Sequence, residues 1–371
     1  MSTSPQRTTL VYLSPVPLGS FRQRPHYMVH ALLESCVNEV LWLEPYPTRI
    51  PNPGDLKRPD EATVFKPDLP SIRQVKVPAL PVEPLPLGAR LNRGLFWNAL
   101  LSEIESAIQG RRVILGIGKP SSLALLCLDE LDSALSFYDA MDDFPAFYSG
   151  LSRRSMARYE KAVVDKVQHV IASSTSLDDK FEGTGVSTQL VNNAYDMDTV
   201  RAEREPEPAR MVAGYIGTVG HWFDWNLLVQ TAERTPEADF EIVGPVYNHH
   251  NGLLPENVSL LPACSQQEAW QHLSRFDVGL IPFRRVEITA GVDPIKYYEY
   301  RAYGLPVLST KFGEMNKRGT EAGVFLVENA DEAAAILQSR PSIATDATTA
   351  DFRRINDWHE RFEPLVAWCQ A

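Results

Sequence analysis

The strongest constraint on the fold is a pattern that starts, breaks and starts again. Short apolar runs rich in β-formers alternate with segments of helical spacing, and a charged stretch divides them into two sets. In the first set, TTLVYLS (8–14), EVLWLEP (39–45), RRVILGIG (111–118), ALSFYDAM (134–141), HVIASS (169–174) and TQLVNNA (188–194) read as strands. Between them PHYMVHALLES (25–35), residues 91–110, 121–131 and 156–167 read as helices, with Pro25 suited to a first turn. Strand, crossover helix, strand is the grammar of a parallel sheet covered on both faces. Residues 196–209, DMDTVRAEREPEPA, are charged, carry Pro206 and Pro208, and read as a linker.

The alternation then restarts. MVAGYIGTV (211–219), DFEIVG (239–244), NVSLLPA (257–263), DVGLIPF (277–283), LPVLST (305–310) and GVFLVEN (323–329) are predicted strands. Helices are predicted over 224–234, 266–276, 293–304, 330–339 and 350–371. The expected class is α/β with two Rossmann-like, doubly wound domains, 1–200 and 201–350, followed by a terminal helix 351–371 that packs on the body. Ligands of such sheets bind beyond the carboxyl ends of the strands, so a cleft shared by two facing domains is the expected active site. Residues 45–90 hold 11 prolines and read as short edge strands and surface loops.

Composition narrows the function classes. Charged residues are 22% and hydrophobic residues 44% of 371, ordinary for a globular chain, which excludes disorder and fibrous repeats. The four cysteines, Cys36, Cys127, Cys264 and Cys369, form no CxxC pair, arguing against a zinc ribbon or a disulfide framework. No basic-then-apolar leader opens the sequence and no apolar run reaches the ~18 residues of a membrane span, so the cytoplasm is the expected compartment. The net charge of −11 argues against nucleic-acid binding. That charge is uneven: residues 1–112 carry 13 Lys/Arg against 10 Asp/Glu, a net +3 that could face an anionic membrane surface.

One helix carries the clearest chemistry. In Pro294-Ile295-Lys296-Tyr-Tyr-Glu299, the lysine and glutamate lie three residues apart on one face near a helix N-terminus. A helix N-terminus attracts phosphate, a lysine there can neutralise a pyrophosphate, and a carboxylate one turn on can accept from ribose hydroxyls. On spacing alone, a surface ion pair is an equal reading.

This segment, continuing as EYRAYGLPV (299–307), resembles the nucleotide-sugar signature of GT-B glycosyltransferases. The resemblance extends to YIGTVGHWFDWNLL (215–228), similar to the glycine turn that opens the donor domain, and to FDVGLIPF (276–283). GSFRQRPHYMVHALL (19–33) resembles the first loop and helix of the exopolysaccharide and capsule members, among them xanthan glucuronosyltransferase-like and teichuronic-acid enzymes. The resemblance implies a nucleotide-diphosphate sugar donor, a UDP-sugar, and a lipid-linked saccharide acceptor at the inner membrane face. It implies no cofactor and no metal, a terminal helix 351–371 that packs back across the domains, and closure of the two domains about the linker. The donor residues implied are Gly217, Thr218, Val219, Gly220, Phe283, Arg284, Ile295, Lys296 and Glu299.

Many retaining members carry an acid eight positions before the ribose-binding glutamate, where this chain has Gly291. That departure favours inversion, which needs one base to take the acceptor's proton. In Phe137-Tyr-Asp139-Ala-Met-Asp142-Asp143, at a predicted strand end, the order resembles the catalytic turn of the xanthan enzyme and selects Asp142 as the base, with Asp143 as a capping neighbour. The alternatives are a retaining enzyme of the same architecture, a catalytically inactive sugar-nucleotide-binding subunit, or a sugar-nucleotide epimerase.

Arg22, Arg24, Lys119 and Asp143 are the candidate acceptor residues; the two arginines could hold a lipid pyrophosphate. Phe96, Trp97 and Leu100, flanked by Arg90 and Arg93, could dip into a membrane interface or face the core. Gly116-Ile-Gly118-Lys119-Pro-Ser121 lacks phosphate-loop spacing and reads as a loop with Ser121 as helix cap. His249-His250 and Asp196-Met-Asp198 read as solvated turns rather than metal ligands.

Overall fold

A computed structural model of the chain describes residues 6–51, 70–196 and 210–371. The chain divides into two compact units, Met1–Val191 with Phe362–Ala371, and Asn192–Arg361. Most of the expected linker, and the second aspartate of the Asp196-Met-Asp198 triplet, lie outside the described residues.

The first unit runs β1 (Thr8–Leu13), α1 (Arg24–Ser35), β2 (Glu39–Leu43), β3 (Ile72–Val75), α2 (Gly88–Asn92) and α3 (Asn98–Ile108). It continues with β4 (Arg112–Ile117), α4 (Ser122–Glu130), β5 (Leu135–Ala140), α5 (Gly150–Val164), β6 (His169–Ala172), α6 (Thr175–Phe181) and β7 (Ser187–Leu190). All strand pairs are parallel, in the order β3-β2-β1-β4-β5-β6-β7. The central strands are buried along their whole length, as sheets covered on both faces require. Among the described residues of the proline-rich region the one strand is β3, on the sheet edge where missing amide donors are tolerated.

The second unit runs β8 (Met211–Ile216), α7 (Trp225–Arg234), β9 (Ala238–Val243), β10 (Val258–Leu261), α8 (Gln266–Arg275) and β11 (Val278–Ile281). Then follow α9 (Glu287–Ala290), α10 (Ile295–Ala302), β12 (Val307–Thr310), β13 (Val324–Val327), α11 (Ala330–Gln338), α12 (Asp346–Ile355) and α13 (Trp358–Arg361). The strand order is β10-β9-β8-β11-β12-β13, again all parallel. Both sheets therefore wind outward from their first strand in two directions, the doubly wound order expected.

Two expectations are corrected. The helix predicted over 91–110 contains a π-helical turn, Arg93–Trp97, between α2 and α3. Asn92 is fully buried and Trp97 is 1% exposed. They stand five residues apart, and the wider turn keeps both on the buried side. Trp97 donates its indole proton to the Pro78 carbonyl at 3.1 Å, and Leu100 is also buried, so neither is available to a membrane.

The single helix expected over 350–371 is three. It breaks at Asn356–Asp357, where the backbone bonds instead to Tyr195 through Tyr195 N to Asn356 O and Trp358 N to Tyr195 O. It breaks again at Phe362, before α14 (Glu363–Gln370). That last helix belongs to the first unit: Leu365 and Cys369 are buried and Trp368 stacks on His169 at 4.1 Å.

Candidate active site

In the second unit, β8 runs into Gly217-Thr218-Val219-Gly220. Gly217 has φ +151°, a conformation that favours glycine, and its amide donates to Val243 O at 2.8 Å. Val219 N donates to Pro245 O. The amides of Thr218 and Gly220 make no hydrogen bond among the described residues. The turn is thus fixed to β9 at two points and keeps two donors in reserve, the arrangement that binds anions.

The signature helix comes to this turn. A Cβ built on Gly217 would lie 3.2 Å from Lys296 Cε and 3.0 Å from the Tyr215 hydroxyl, so the lysine stem packs on the glycine itself. Lys296 Nζ donates to Glu299 Oε2 at 2.8 Å, with side chains 26% and 20% exposed. Pro294 at the N-cap position of α10 supplies no side-chain cap, which leaves the positive end of the helix for a ligand. Tyr300, fully buried one turn on, accepts from Ile216 N at 3.2 Å and so ties α10 to β8.

The strand after the crossover adds the other wall. Phe283 follows β11, is buried, and contacts Tyr215, Trp222 and Phe312. Arg284 N donates to Trp222 O at 2.6 Å, which binds this loop to the glycine turn, and the Arg284 side chain is exposed. Ile295 is partly buried. Arg285 is turned to a surface ion pair with Glu328.

Sequence reasoning missed what holds α10 in place. Asp293 is 3% exposed. Its carboxylate accepts from Arg318 at 2.6 Å, from the Tyr298 hydroxyl at 2.9 Å and from Asn193 N at 2.7 Å. Arg318 also lies 3.8 Å from the centre of the Tyr297 ring. Asp293 stands beside the quoted motif and could have been suspected; Arg318 has no local signal.

In the first unit, β5 ends in a buried ion pair. Asp139 is fully buried and accepts from Arg24 Nε at 2.8 Å, while Arg24 Nη1 donates to Val191 O at 2.6 Å. Arg24 is 1% exposed, so it does not face an acceptor pyrophosphate as the sequence suggested; Arg22 is exposed. Helix α1 has its Pro25 in the first turn, which carries Arg24 inward beneath the end of β5.

Asp142 lies just past β5, partly open to solvent, and its carboxylate has no hydrogen-bond donor among the described residues. Burial, then the charge of Asp139, push its pKa from 3.8 up to about 7, against the pull of Arg24. A carboxylate poised near neutrality is suited to proton abstraction.

Asp143 occupies an N-cap position yet makes no side-chain cap; it pairs with Lys180 at 2.7 Å, and Lys180 also meets Glu160. The expected capping role is therefore replaced by an ion pair. Lys119 lines a cleft with Leu13, Ser14, Tyr46, Thr48 and Ser121, beyond the ends of β1, β2 and β4. Ser121 caps α4 by accepting from Ala124 N, as the loop reading required.

No protein-family profile matches the chain. A curated relative, TuaH of Bacillus subtilis (strain 168), assigned by name to teichuronic acid biosynthesis as a glycosyltransferase, is 24% identical over 245 residues. That match spans 59% of this chain and 61% of TuaH. Among solved structures, sucrose-phosphate synthase (tll1590) from Thermosynechococcus elongatus superposes with a TM-score of 0.70 at 13% identity, covering 98% of each chain. Anabaena Alr3699/HepE, in complex with UDP and glucose, superposes at 0.63 and 11% identity, over 98% of this chain and 99% of that one. With two doubly wound parallel units and likeness along nearly its whole length, the chain has the GT-B fold of glycosyltransferases.

Proposed function

We propose that the chain is a glycosyltransferase of polysaccharide assembly that moves a sugar from a UDP-sugar to a lipid-linked saccharide at the cytoplasmic face of a membrane. The observation that carries this reading is the packing of Lys296 on Gly217, with Glu299 bonded to the same ammonium. It brings to one place a cation, a carboxylate and two amides that make no hydrogen bond among the described residues. The donor pyrophosphate lies against the Thr218 and Gly220 amides and Lys296, and Glu299 accepts from the ribose hydroxyls. The bound UDP and glucose of HepE, and the name of TuaH, support this donor and this pathway class.

Asp142 takes the proton of the acceptor hydroxyl as its oxygen forms a bond to the anomeric carbon. The bond from that carbon to the β-phosphate oxygen breaks, UDP leaves with the electron pair, and Lys296 with the turn amides meets the charge that develops. Attack from the face opposite UDP inverts the anomeric centre. No step of this scheme calls on a metal. The sugar, a hexose or a uronic acid, is chosen by residues beyond those that hold UDP.

The test is titration of UDP into the intact chain. Charge-assisted hydrogen bonds contribute ~1.5–3 kcal/mol, so Lys296→Ala and Glu299→Ala should each weaken binding by about 10- to 150-fold. Equal affinity in both variants and the wild type removes the donor from α10, and with it the proposal.

A further inference from the structure

We infer that the π-turn helix of the first unit seats the protein on an anionic lipid bilayer, through Leu87, Leu91 and Leu95 with Lys76 and Arg90. Part of this surface differs from the one the sequence pointed to, because Trp97 and Leu100 face the core. Thirteen large hydrophobic residues are exposed among the described residues, and five of them, Leu80, Leu85, Leu87, Leu91 and Leu95, fall within residues 80–95. Such concentration marks an interaction surface, whereas scattered exposed leucines need no explanation.

The backbone is arranged to keep these side chains out. Leu87 is 66% exposed and has φ +66°, the left-handed region that a leucine rarely adopts. A strained residue that holds an apolar side chain in water gains nothing for the fold and points to a use outside it. Leu91 and Leu95, 48% and 57% exposed, follow at four-residue steps on the side away from Asn92 and Trp97. The π-turn places those two inward while leaving Leu95 outward.

Charge selects the occupant. From residue 70 to 100 the basic residues are Arg73, Lys76, Arg90 and Arg93, and the single acid, Glu83, is 1% exposed. Arg73 and Arg93 are held by Glu103 and Glu130, while Lys76 and Arg90 are exposed and make no ion pair among the described residues. Exposed leucines beside unmatched cations, on a chain of net charge −11, complement a surface that is apolar within and anionic at its edge. No helix among the described residues is long and apolar enough to cross a membrane, so the contact is interfacial.

The Lys119 cleft meets this helix from its inner side, through Tyr46 against Trp97 at 5.5 Å. The bilayer contact does not rest on the lipid-linked acceptor proposed above.

The experiment is co-sedimentation of the intact chain with protein-free vesicles, of phosphatidylcholine alone or mixed equally with phosphatidylglycerol. The wild type should bind the mixed vesicles and be released by salt. Leu91→Glu with Leu95→Glu should lower partitioning at least about tenfold, and Arg90→Gln about fivefold. Leu253→Glu, at a 96% exposed leucine of the other unit, should bind as the wild type. An unchanged circular dichroism spectrum and thermal midpoint in the double variant certify its fold.

Wild-type partitioning by the double variant overturns the inference. So does a wild type that ignores both vesicle types, and if that protein still sediments with native membranes, its partner there is a membrane protein. A chain that binds vesicles but not UDP leaves this inference standing and refutes the donor reading instead.

Discussion

Replacing Asp142 by asparagine should make the protein more stable at pH 8 and nearly inactive. The carboxylate loses water at the end of β5 and faces the charge of Asp139, which together lift its pKa from 3.8 to about 7. The folded state therefore holds a proton that the unfolded state has released between those values. Stability from this group is highest at low pH, falls as pH rises through the window, and is lowest above about 7. At ~1.36 kcal/mol per unit, the full shift bounds the penalty at about 4 kcal/mol. Asp142 is partly solvated, and screening reduces the figure to about 1–2 kcal/mol.

Asparagine carries no charge and escapes this penalty, so the urea midpoint of Asp142→Asn should exceed that of the wild type at pH 8. The difference should shrink as pH falls and vanish below about pH 3, where the aspartate is neutral in both states. Asparagine cannot accept a proton, so turnover should fall by ~10²–10⁴. In the wild type, kcat/KM should drop about tenfold per pH unit below 7 as the base is protonated. A cap or turn residue would show neither change, because asparagine caps a helix as well as aspartate does. An Asp142→Asn protein that is less stable at pH 8, or that turns over normally, refutes the assignment. A product that keeps the donor's anomeric configuration refutes inversion itself.

Other substitutions separate neighbouring roles. Asp143→Asn removes a half-exposed pair with Lys180 and should cost about 0–1 kcal/mol with turnover intact, measured beside Asp142→Asn. Asp293→Ala strands the buried Arg318 and should cost about 3–5 kcal/mol in thermal unfolding, with UDP affinity lowered as α10 loosens. Trp97→Ala should cost about 3–5 kcal/mol, because a fully buried indole and its bond to Pro78 are lost. Gly217→Val should abolish UDP binding, since its φ of +151° and the Lys296 contact leave no room for a side chain.

The strands were legible because each is a short apolar run bounded by turn residues, and β-formers packed on both faces leave a signal that needs no partner to be read. Lys296 and Glu299 were legible as a pair on one helix face because they stand three residues apart, but it was the resemblance, not spacing, that singled out that pair and the glycine turn as candidate donor residues. What could not be read are contacts between distant segments. Arg24 looked like one of a pair of loop arginines with Arg22, and only the approach of α1 to β5 reveals that it neutralises Asp139. Periodicity taken at 3.6 residues left Trp97 and Leu100 between core and membrane, because a π-turn shifts the phase inside the helix. A straight helix was expected at the C-terminus because nothing local announces that Asn356 and Trp358 bond to Tyr195.

The topology explains why the candidate donor residues gather where they do. In the second sheet the chain winds from β8 outward to β9 and β10, then returns to lay β11 on the other side of β8. Loops leaving β8 and β11 must turn in opposite directions, so a crevice opens between them at the carboxyl end. Those two loops are Gly217–Gly220 and Phe283–Arg284, and the bond from Arg284 N to Trp222 O closes the crevice at its base. Helix α10 follows β11 through α9, and its N-terminus is set against the same crevice by Tyr300 on β8 and by the Asp293–Arg318 pair. The first sheet repeats the order with its own crevice between β1 and β4, where Lys119 lies. Asp142 stands one strand farther out, after β5, on the same carboxyl edge as that crevice. Lys119 and Asp142 thus stand on loops that follow adjoining strands of one sheet, so their spacing is set within the first unit alone.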